Sequence, residues 1–207
     1  TVCDDVTLAR SDDGGVLAVQ SPERLYRVYA KAWIWATGGY VVNLPFVDND
    51  RPGIIAARAV GRLLVDHGIL AGDRICIVEV PELADEMTAL SIALTTAGAD
   101  IIRVALPDVL ATRGRGWVSQ VDVVGRKIEC DVVAVAAIPA PASEGARQQG
   151  CRVVLDPVAG GFRVVVDDTG RTTTPNVWAC GDVTGYMGPA AAAADGARVG
   201  ALVAGSL

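Results

Sequence analysis

The sequence predicts an α/β protein in which a parallel strand–helix–strand unit lies between two stretches rich in β-strands. Hydrophobic residues make up 51% and charged residues 20% of the 207 residues, so the chain can bury a sizeable core. The apolar residues are mostly alanine and valine, which suit helix faces and pleated strands. A buried strand at Arg74 to Val80, an amphipathic helix at Leu83 to Ala97 and a strand at Asp100 to Ala105 follow one another, which is the order of a βαβ unit.

The first forty residues predict a β-meander followed by a buried strand. Glycine, proline and acidic residues separate three alternating segments, which are Val2 to Ala9, Val16 to Gln20 and Leu25 to Ala30. The compact apolar run Ala32 to Ala36 then ends at Thr37-Gly38-Gly39, as expected where a strand stops at a close approach of the backbone. Residues 40–53 lack periodicity and are predicted to be a crossing linker.

The elements on either side of the βαβ unit follow from the same patterns. Apolar positions at helical spacing predict a helix from Ile54 to His67. After Trp117 the pattern returns to strands, predicted at Val118 to Val124, Lys127 to Cys130 and Val132 to Ala137. The remaining predicted elements are a short helix at Ser143 to Gln149, extended segments at Cys151 to Leu155 and Phe162 to Val166, a strand at Val177 to Ala179 and a long C-terminal helix.

Composition excludes several classes of function. With 18 basic and 24 acidic residues the net charge is −6, and no basic cluster is present, so we expect no nucleic-acid partner. No apolar run reaches the ~20 residues of a membrane span, and no secretory signal is visible, so we expect a soluble cytoplasmic protein. The five cysteines are scattered without a CxxC pair, which predicts buried small hydrophobes rather than disulfides or a metal site.

The most informative motif is a strand that ends in Gly181-Asp182 and is followed by a glycine-rich turn. This turn ends at Gly188, and an alanine-rich helix then begins at Pro189-Ala190. Such a corner offers a carboxylate to a sugar or ribityl hydroxyl, and backbone N–H groups to an anionic ligand. The alternative interpretation is tight packing of small residues with no ligand.

This motif resembles a known cofactor site. The run from Thr172 to Gly205 resembles the second FAD-binding segment of the flavoproteins with two dinucleotide-binding domains, and Trp35 to Gly39 resembles the A-T-G strand end of the same family. The resemblance implies an FAD/NAD(P)-binding three-layer ββα fold and a role for Asp182 in binding the ribityl chain. The residues it assigns to the FAD site are Ala36, Thr37, Gly38, Gly181, Asp182, Gly188, Pro189 and Ala190.

A third segment narrows the resemblance. Leu44 to Ile54 is similar to the corresponding crossing in the sarcosine oxidase α subunit and in the opine oxidase, hydroxyproline dehydrogenase and hydrogen cyanide synthase subunits. This similarity implies oxidation of an amine or amino-acid derivative, with a small-molecule amine as substrate. It also implies a FAD-type domain made from residues 1–46 and 138–207, with a degenerate, Rossmann-like NAD-type domain at 47–137.

Two departures from the family pattern limit what the chain is expected to bind. The turn after the strand at Arg74 to Val80 has no glycine, and nearby carboxylates would repel a pyrophosphate, so NAD binding is not expected. These carboxylates belong to Glu79, Glu82, Asp85 and Glu86. The G-x-G-x-x-G segment that holds the ADP half of FAD has no counterpart, so the FAD site is partial and needs a companion polypeptide or an additional N-terminal segment.

No residue is nominated as a catalytic acid, base or nucleophile, because the flavin would carry the redox chemistry. One alternative is a non-catalytic structural subunit that keeps the flavoprotein fold without binding a dinucleotide. A further alternative is a stand-alone nucleotide-binding module.

Overall fold

The computed structural model describes residues 7–12, 16–20 and 25–207, and it divides the chain into two compact units. Unit 1 contains Thr1–Tyr40 and Pro139–Leu207, whereas unit 2 contains Val41–Ile138. Unit 1 is therefore built from both ends of the chain, and unit 2 is inserted between them.

The first part of unit 1 is a β-meander followed by two short strands. Its strands are β1 (Thr7–Asp12), β2 (Val16–Gln20), β3 (Leu25–Tyr29), β4 (Trp33–Trp35) and β5 (Gly39–Tyr40). Strands β1, β2 and β3 pair antiparallel in chain order, as predicted. The first predicted strand begins at Val2, but residues 1–6 lie outside the described residues, as does the whole of the turn predicted at 21–23.

Unit 2 is a four-stranded parallel sheet with helices and a small antiparallel sheet. Its elements are β6 (Ile54–Ala56), α1 (Ala57–His67), β7 (Arg74–Glu79), a 3₁₀ turn (Pro81–Leu83), α2 (Ala84–Thr96), β8 (Asp100–Ala105), a second 3₁₀ turn (Leu106–Asp108), β9 (Val109–Arg113), β10 (Gln120–Val123), β11 (Arg126–Glu129) and β12 (Val132–Ala136). The parallel sheet has the strand order β6-β12-β7-β8. The predicted βαβ unit is confirmed as β7-α2-β8.

Two elements of unit 2 differ from the prediction. Residues Ile54–Ala56, predicted as the first turn of a helix, form strand β6 because they pair in parallel with Val133 to Val135. Strand β9 was not predicted, and it pairs antiparallel with β10. The side chain of Thr112 in β9 is fully buried and donates a hydrogen bond to the carbonyl oxygen of Asp48 at 2.6 Å.

One part of the core of unit 2 joins its two sheets. Cys76, Val78 and Val133 of the parallel sheet pack in one cluster with Val121 and other buried residues of the antiparallel sheet. Leu44 is buried in the same cluster and Phe46 packs against it. Residues 41–46, which the family resemblance groups with the first FAD-type segment, make their contacts within unit 2.

The second part of unit 1 contains a hairpin, the predicted last strand and the long C-terminal helix. Its elements are β13 (Ala140–Pro141), α3 (Glu144–Gln148), β14 (Val153–Asp156), β15 (Gly161–Val164), β16 (Val177–Ala179), a 3₁₀ turn (Gly181–Thr184) and α4 (Pro189–Gly205). Strand β14 pairs with β15, β13 with β5, and β16 in parallel with β4. The core of this unit includes Trp35, Ala146, Val164 and Val183.

Four of the five cysteines lie in the described part of the chain, and all four are free and buried. They are Cys76, Cys130, Cys151 and Cys180, whereas Cys3 lies outside the described residues. None of the described helices is both long and apolar enough to cross a membrane.

Candidate functional site

The candidate site begins where strands β4 and β16 end side by side. The strands pair in parallel with Trp35 opposite Ala179, and the backbone N–H of Cys180 donates to the carbonyl oxygen of Trp35 at 3.0 Å. Because paired parallel strands end at the same edge, the segments Ala36-Thr37-Gly38 and Gly181-Asp182 leave the sheet together. The structure thus brings together two sequence motifs that lie far apart in the chain.

The first corner of the site, Ala36-Thr37-Gly38, is fixed by hydrogen bonds to Ala142, the residue that follows β13. The hydroxyl of Thr37 donates to the carbonyl oxygen of Ala142 at 2.6 Å, and the N–H of Ala142 donates to the carbonyl oxygen of Gly38 at 2.9 Å. Gly38 has a φ of 68°, a left-handed conformation that glycine adopts without steric cost. Ala36 and Thr37 are exposed, so this corner presents its surface to solvent.

Trp35, directly before this corner, is fixed by helix α3 and the residue that follows it. Its indole N–H donates to Oε1 of Gln149 at 2.7 Å, and its side chain is buried. The ring lies against Gly145, where no side-chain atom intervenes. The corner therefore rests on a large, oriented aromatic side chain.

The second corner is the 3₁₀ turn that begins at Gly181. Gly181 is buried with a φ of 70°, and the hydroxyl of Thr184 donates to its carbonyl oxygen at 2.8 Å. Asp182 is half-buried, and its Oδ1 accepts the backbone N–H of Met187 at 3.1 Å. The Asp182 carboxylate is thus tied to the turn that leads into helix α4.

Helix α4 starts next to this turn. Gly188 is buried with a φ of 83°, and its carbonyl oxygen accepts the N–H of Ala192 at 2.9 Å. Pro189 occupies the first helical position, where its missing N–H costs nothing. Pro189 and Ala190 are exposed, so the positive end of the helix dipole is accessible.

Helix α4 also contributes a charged residue that the sequence motif does not assign to the site. Oδ2 of Asp195 accepts the N–H of Gly181 at 2.9 Å, while Oδ1 pairs with Arg198 at 2.7 Å. The hydrogen bond from Gly181, followed by the interaction with Arg198, lowers the pKa of Asp195. The available signal was an acid–base pair spaced i,i+3 within an otherwise alanine-rich helix.

Thr172 explains the spacing of the motif that precedes β16. Its hydroxyl donates to the carbonyl oxygen of Val177 at 2.9 Å and accepts the N–H of Thr174 at 3.1 Å. The Cys151 thiol also lies 3.4 Å from this hydroxyl. Thr172, five residues before β16, therefore stabilises the turn that leads into this strand.

Unit 2 has a different arrangement at the end of its strand β7. Both carboxylate oxygens of Glu79 lie 2.8 Å from Nη2 of Arg103, and Arg103 also bonds to Thr88 and the carbonyl oxygen of Ala84. The Glu79 charge is thus compensated, which the sequence pattern did not indicate. The turn itself runs through Pro81 into a 3₁₀ helix and contains no glycine.

No group of three or more His, Cys, Asp or Glu side chains that could hold a metal ion occurs within the described ranges.

The fold defines a class of α/β proteins in which one unit, built from both ends of the chain, contains a second, inserted unit. The sequence profile of the pyridine nucleotide-disulphide oxidoreductase family matches residues 71–197, and the chain belongs to that family. This membership confirms the family resemblance that the motifs indicated.

Curated relatives agree with this family. The chain is 28% identical over 217 residues to the sarcosine oxidase subunit alpha of Corynebacterium sp. (strain P-1), which covers 93% of this chain and 22% of the relative. The corresponding subunit of Rhizobium meliloti (strain 1021) is 29% identical over 145 residues, covering 70% of this chain and 14% of the relative. The chain therefore spans about a fifth or less of the length of these relatives.

Solved structures support the fold. The L-proline dehydrogenase of P. horikoshii superimposes with a TM-score of 0.80 at 21% identity, covering 96% of this chain and 40% of that chain. A FAD-dependent pyridine nucleotide-disulphide oxidoreductase from Desulfovibrio vulgaris matches with a TM-score of 0.65 at 20% identity, covering 97% and 61%. The predicted α/β fold class is thereby confirmed.

Proposed function

We propose that this chain supplies the flavin-side half of the FAD site in an oxidoreductase that acts on an amine or amino-acid derivative of the sarcosine, opine or proline type. The observation that carries the proposal is the parallel pairing of β4 with β16, with the Cys180 N–H bonded to the Trp35 carbonyl. It places Ala36-Thr37-Gly38 beside Gly181-Asp182, as a shared ligand site requires.

The residues present suit a flavin. Asp182 offers an acceptor for a ribityl hydroxyl, and its hydrogen bond from Met187 keeps the carboxylate oriented. Ala36 and Thr37 are exposed, and the residues at Gly188 to Ala190 have short side chains, which suits the approach of a flat ring. Bound FAD would supply the acceptor for the two electrons removed from the substrate.

The protein would contribute binding and electrostatics in this proposal. The exposed N-terminus of α4 favours negative charge nearby, which is the charge that a reduced flavin develops. No described side chain is assigned as a catalytic acid or base. The amine class of substrate rests on the printed names of the relatives, sarcosine oxidase and L-proline dehydrogenase.

The adenine side of the FAD would come from polypeptide outside these 207 residues, either a companion chain or a further segment. The length of the relatives supports this part of the proposal, since the aligned region is a small share of each.

We also propose that unit 2 does not bind NAD. The turn after β7 has Pro81 where a dinucleotide site needs glycine, and Glu82 and Asp85 are exposed next to it. Titration calorimetry with NAD and NADH at neutral pH should give no binding heat. A measurable heat that saturates at one equivalent would contradict this proposal.

The test of flavin binding uses the assembly purified through a tag on this chain. It should show the visible absorption of oxidised flavin, and Asp182→Ala should lose most of it. Asp50→Ala removes an exposed aspartate in unit 2 and should retain the flavin.

A colourless assembly that forms normally would refute flavin binding and favour the second candidate, a structural subunit with a flavoprotein fold. The observation that favours this second candidate is the turn at Pro81 in unit 2, because it lacks the glycine that dinucleotide binding requires.

A further inference from the structure

Asp195 joins three segments of unit 1. One carboxylate oxygen accepts the Gly181 N–H at 2.9 Å, and the other pairs with Arg198 at 2.7 Å. Arg198 in turn donates from Nη1 to the carbonyl oxygen of Asp168 at 2.8 Å. Helix α4 is thus connected through one carboxylate to the corner at Gly181, and through one guanidinium to the loop at Asp168.

Packing around Gly181 does not by itself fix its backbone. A Cβ on Gly181 would meet the nearest side-chain atom, the Cβ of Ala192, at 3.6 Å, which is an ordinary contact. The left-handed φ of 70° is one of several conformations open to glycine. The hydrogen bond that its N–H donates to Asp195 and the one that its carbonyl oxygen accepts from Thr184 are therefore the contacts that select the observed conformation.

We propose that Asp195 is a positioning residue that holds the Gly181 amide and thereby sets the direction of the Asp182 carboxylate in the flavin site. Asp195 itself does not touch the ligand. The inference deepens the proposed function and rests on it for the part that concerns flavin.

The charges that face Asp195 are consistent with an ionised carboxylate at neutral pH. The Gly181 N–H, followed by Arg198 of α4, stabilises its anionic form and lowers its pKa. The Cys180 thiol, directly after β16, is a further titratable neighbour, and burial together with Asp195 raises the pKa of that thiol. The Asp195 side chain is 20% exposed, so solvent screens the ion pair only in part.

The first test measures the Gly181 amide on the full chain without flavin. Hydrogen exchange at Gly181, followed by NMR, should be slow in the wild type and about tenfold faster in Asp195→Ala, which corresponds to one lost hydrogen bond. Asp195→Asn keeps an acceptor oxygen and should retain most of the protection. Unchanged exchange in Asp195→Ala would overturn the proposal without reference to flavin.

A pH titration separates positioning from general loss of structure. In the wild type the Gly181 amide proton shift should follow protonation of Asp195 as the pH is lowered through its depressed pKa. In Asp195→Asn, which keeps an acceptor oxygen but cannot titrate, the Gly181 amide proton shift should not change over the same pH range. A wild-type shift that does not titrate would overturn the proposal.

The second test measures FAD affinity in the native assembly by fluorescence titration. Asp195→Ala should weaken binding about tenfold, and Asp195→Asn should restore most of the affinity. Asp66→Ala removes a comparable helical ion pair with Arg62 in α1 and should leave affinity unchanged.

The outcomes separate the two proposals. If Asp182→Ala weakens FAD binding and Asp195→Ala does not, the positioning role is refuted while the proposed function stands. If neither variant changes FAD affinity, the proposed function fails and the flavin part of this inference fails with it.

Discussion

The indole of Trp35 lies directly against the α-carbon of Gly145. A Cβ added at position 145 would lie 2.5 Å from Cη2 of the Trp35 ring, a distance too short for a Cβ contact in a protein. Gly145 lies inside helix α3, where alanine would ordinarily be the better residue. The close contact therefore outweighs helix propensity at this position.

Gly145→Ala should destabilise the protein by about 1–3 kcal/mol, because the ring under the Ala36-Thr37-Gly38 corner must move. Gly200→Ala in α4 is the matched control, since a Cβ there meets nothing within 4 Å. That change should stabilise the protein by about 0.5–1 kcal/mol through helix propensity. Urea unfolding measures both changes, and equal effects of the same sign would show that Trp35 does not pack as described.

Thr172→Val should destabilise the protein by about 1–3 kcal/mol although the side chains have the same shape. The substitution removes the bonds to Val177 and Thr174 and leaves two backbone groups without this partner. Thr95→Val, on the exposed surface of α2, should change stability by less than about 0.5 kcal/mol. Thermal unfolding compares the two variants. Equal unfolding midpoints would show that the Thr172 hydroxyl does not stabilise the turn before β16.

Stability should fall as the pH rises above about 9, because two buried thiols resist ionisation. Burial raises the pKa of Cys76 from 9.0 to about 12 and that of Cys130 to about 11. Between these values and 9.0 the unfolded state has lost protons that the folded state keeps, so the stabilisation present below pH 9 declines with rising pH. Each fully shifted thiol contributes a slope of up to about 1.4 kcal/mol per pH unit.

The measurement is the free energy of unfolding between pH 8 and pH 11, with Cys76→Ala as the test variant. This variant should lose stability overall because it leaves a cavity, but its decline with pH should be shallower than in the wild type. Parallel declines would show that Cys76 does not titrate with a raised pKa. Cys151→Ala, which also removes a buried cysteine side chain, is the comparison variant for the effect of the cavity.

Local patterns predicted the elements that carry the proposed site. The runs at Trp33–Trp35 and Val177–Ala179 are apolar, short and bounded by glycine, and the structure confirms both as strands. Their parallel pairing is a finding of the structure that neither sequence pattern predicted. The contact of the two corners with flavin stays a prediction.

The missed features depend on contacts that are distant in sequence. Ile54–Ala56 directly precedes helix α1, and its apolar residues continue the helical spacing of that helix. Only its pairing with Val133 to Val135 makes it a strand. Strand β9 is stabilised by pairing with β10 and by the bond from Thr112 to Asp48. Asp195 reaches Gly181 fourteen residues earlier, which no helical periodicity encodes.

The Arg103–Glu79 pair should be more strongly coupled than the helical pair Arg62–Asp66, with a coupling energy of about 1–3 kcal/mol. Its side chains are 28% and 16% exposed, and both Glu79 oxygens contact the guanidinium. Arg103→Met alone should be destabilising, since it leaves the largely buried Glu79 carboxylate without its cation. The double variant with Glu79→Leu should recover much of that loss, because neither charge then remains.

The helical pair Arg62–Asp66 serves as the control for this cycle. Its side chains are 74% and 41% exposed, so its coupling energy should be no more than about 0.5 kcal/mol. Urea unfolding of both double-mutant cycles in low and high salt provides the comparison, with salt weakening the exposed pair more strongly. Equal couplings would mean that Arg103 does not hold the end of β7 against α2, and that the turn at Pro81 is fixed by its backbone alone.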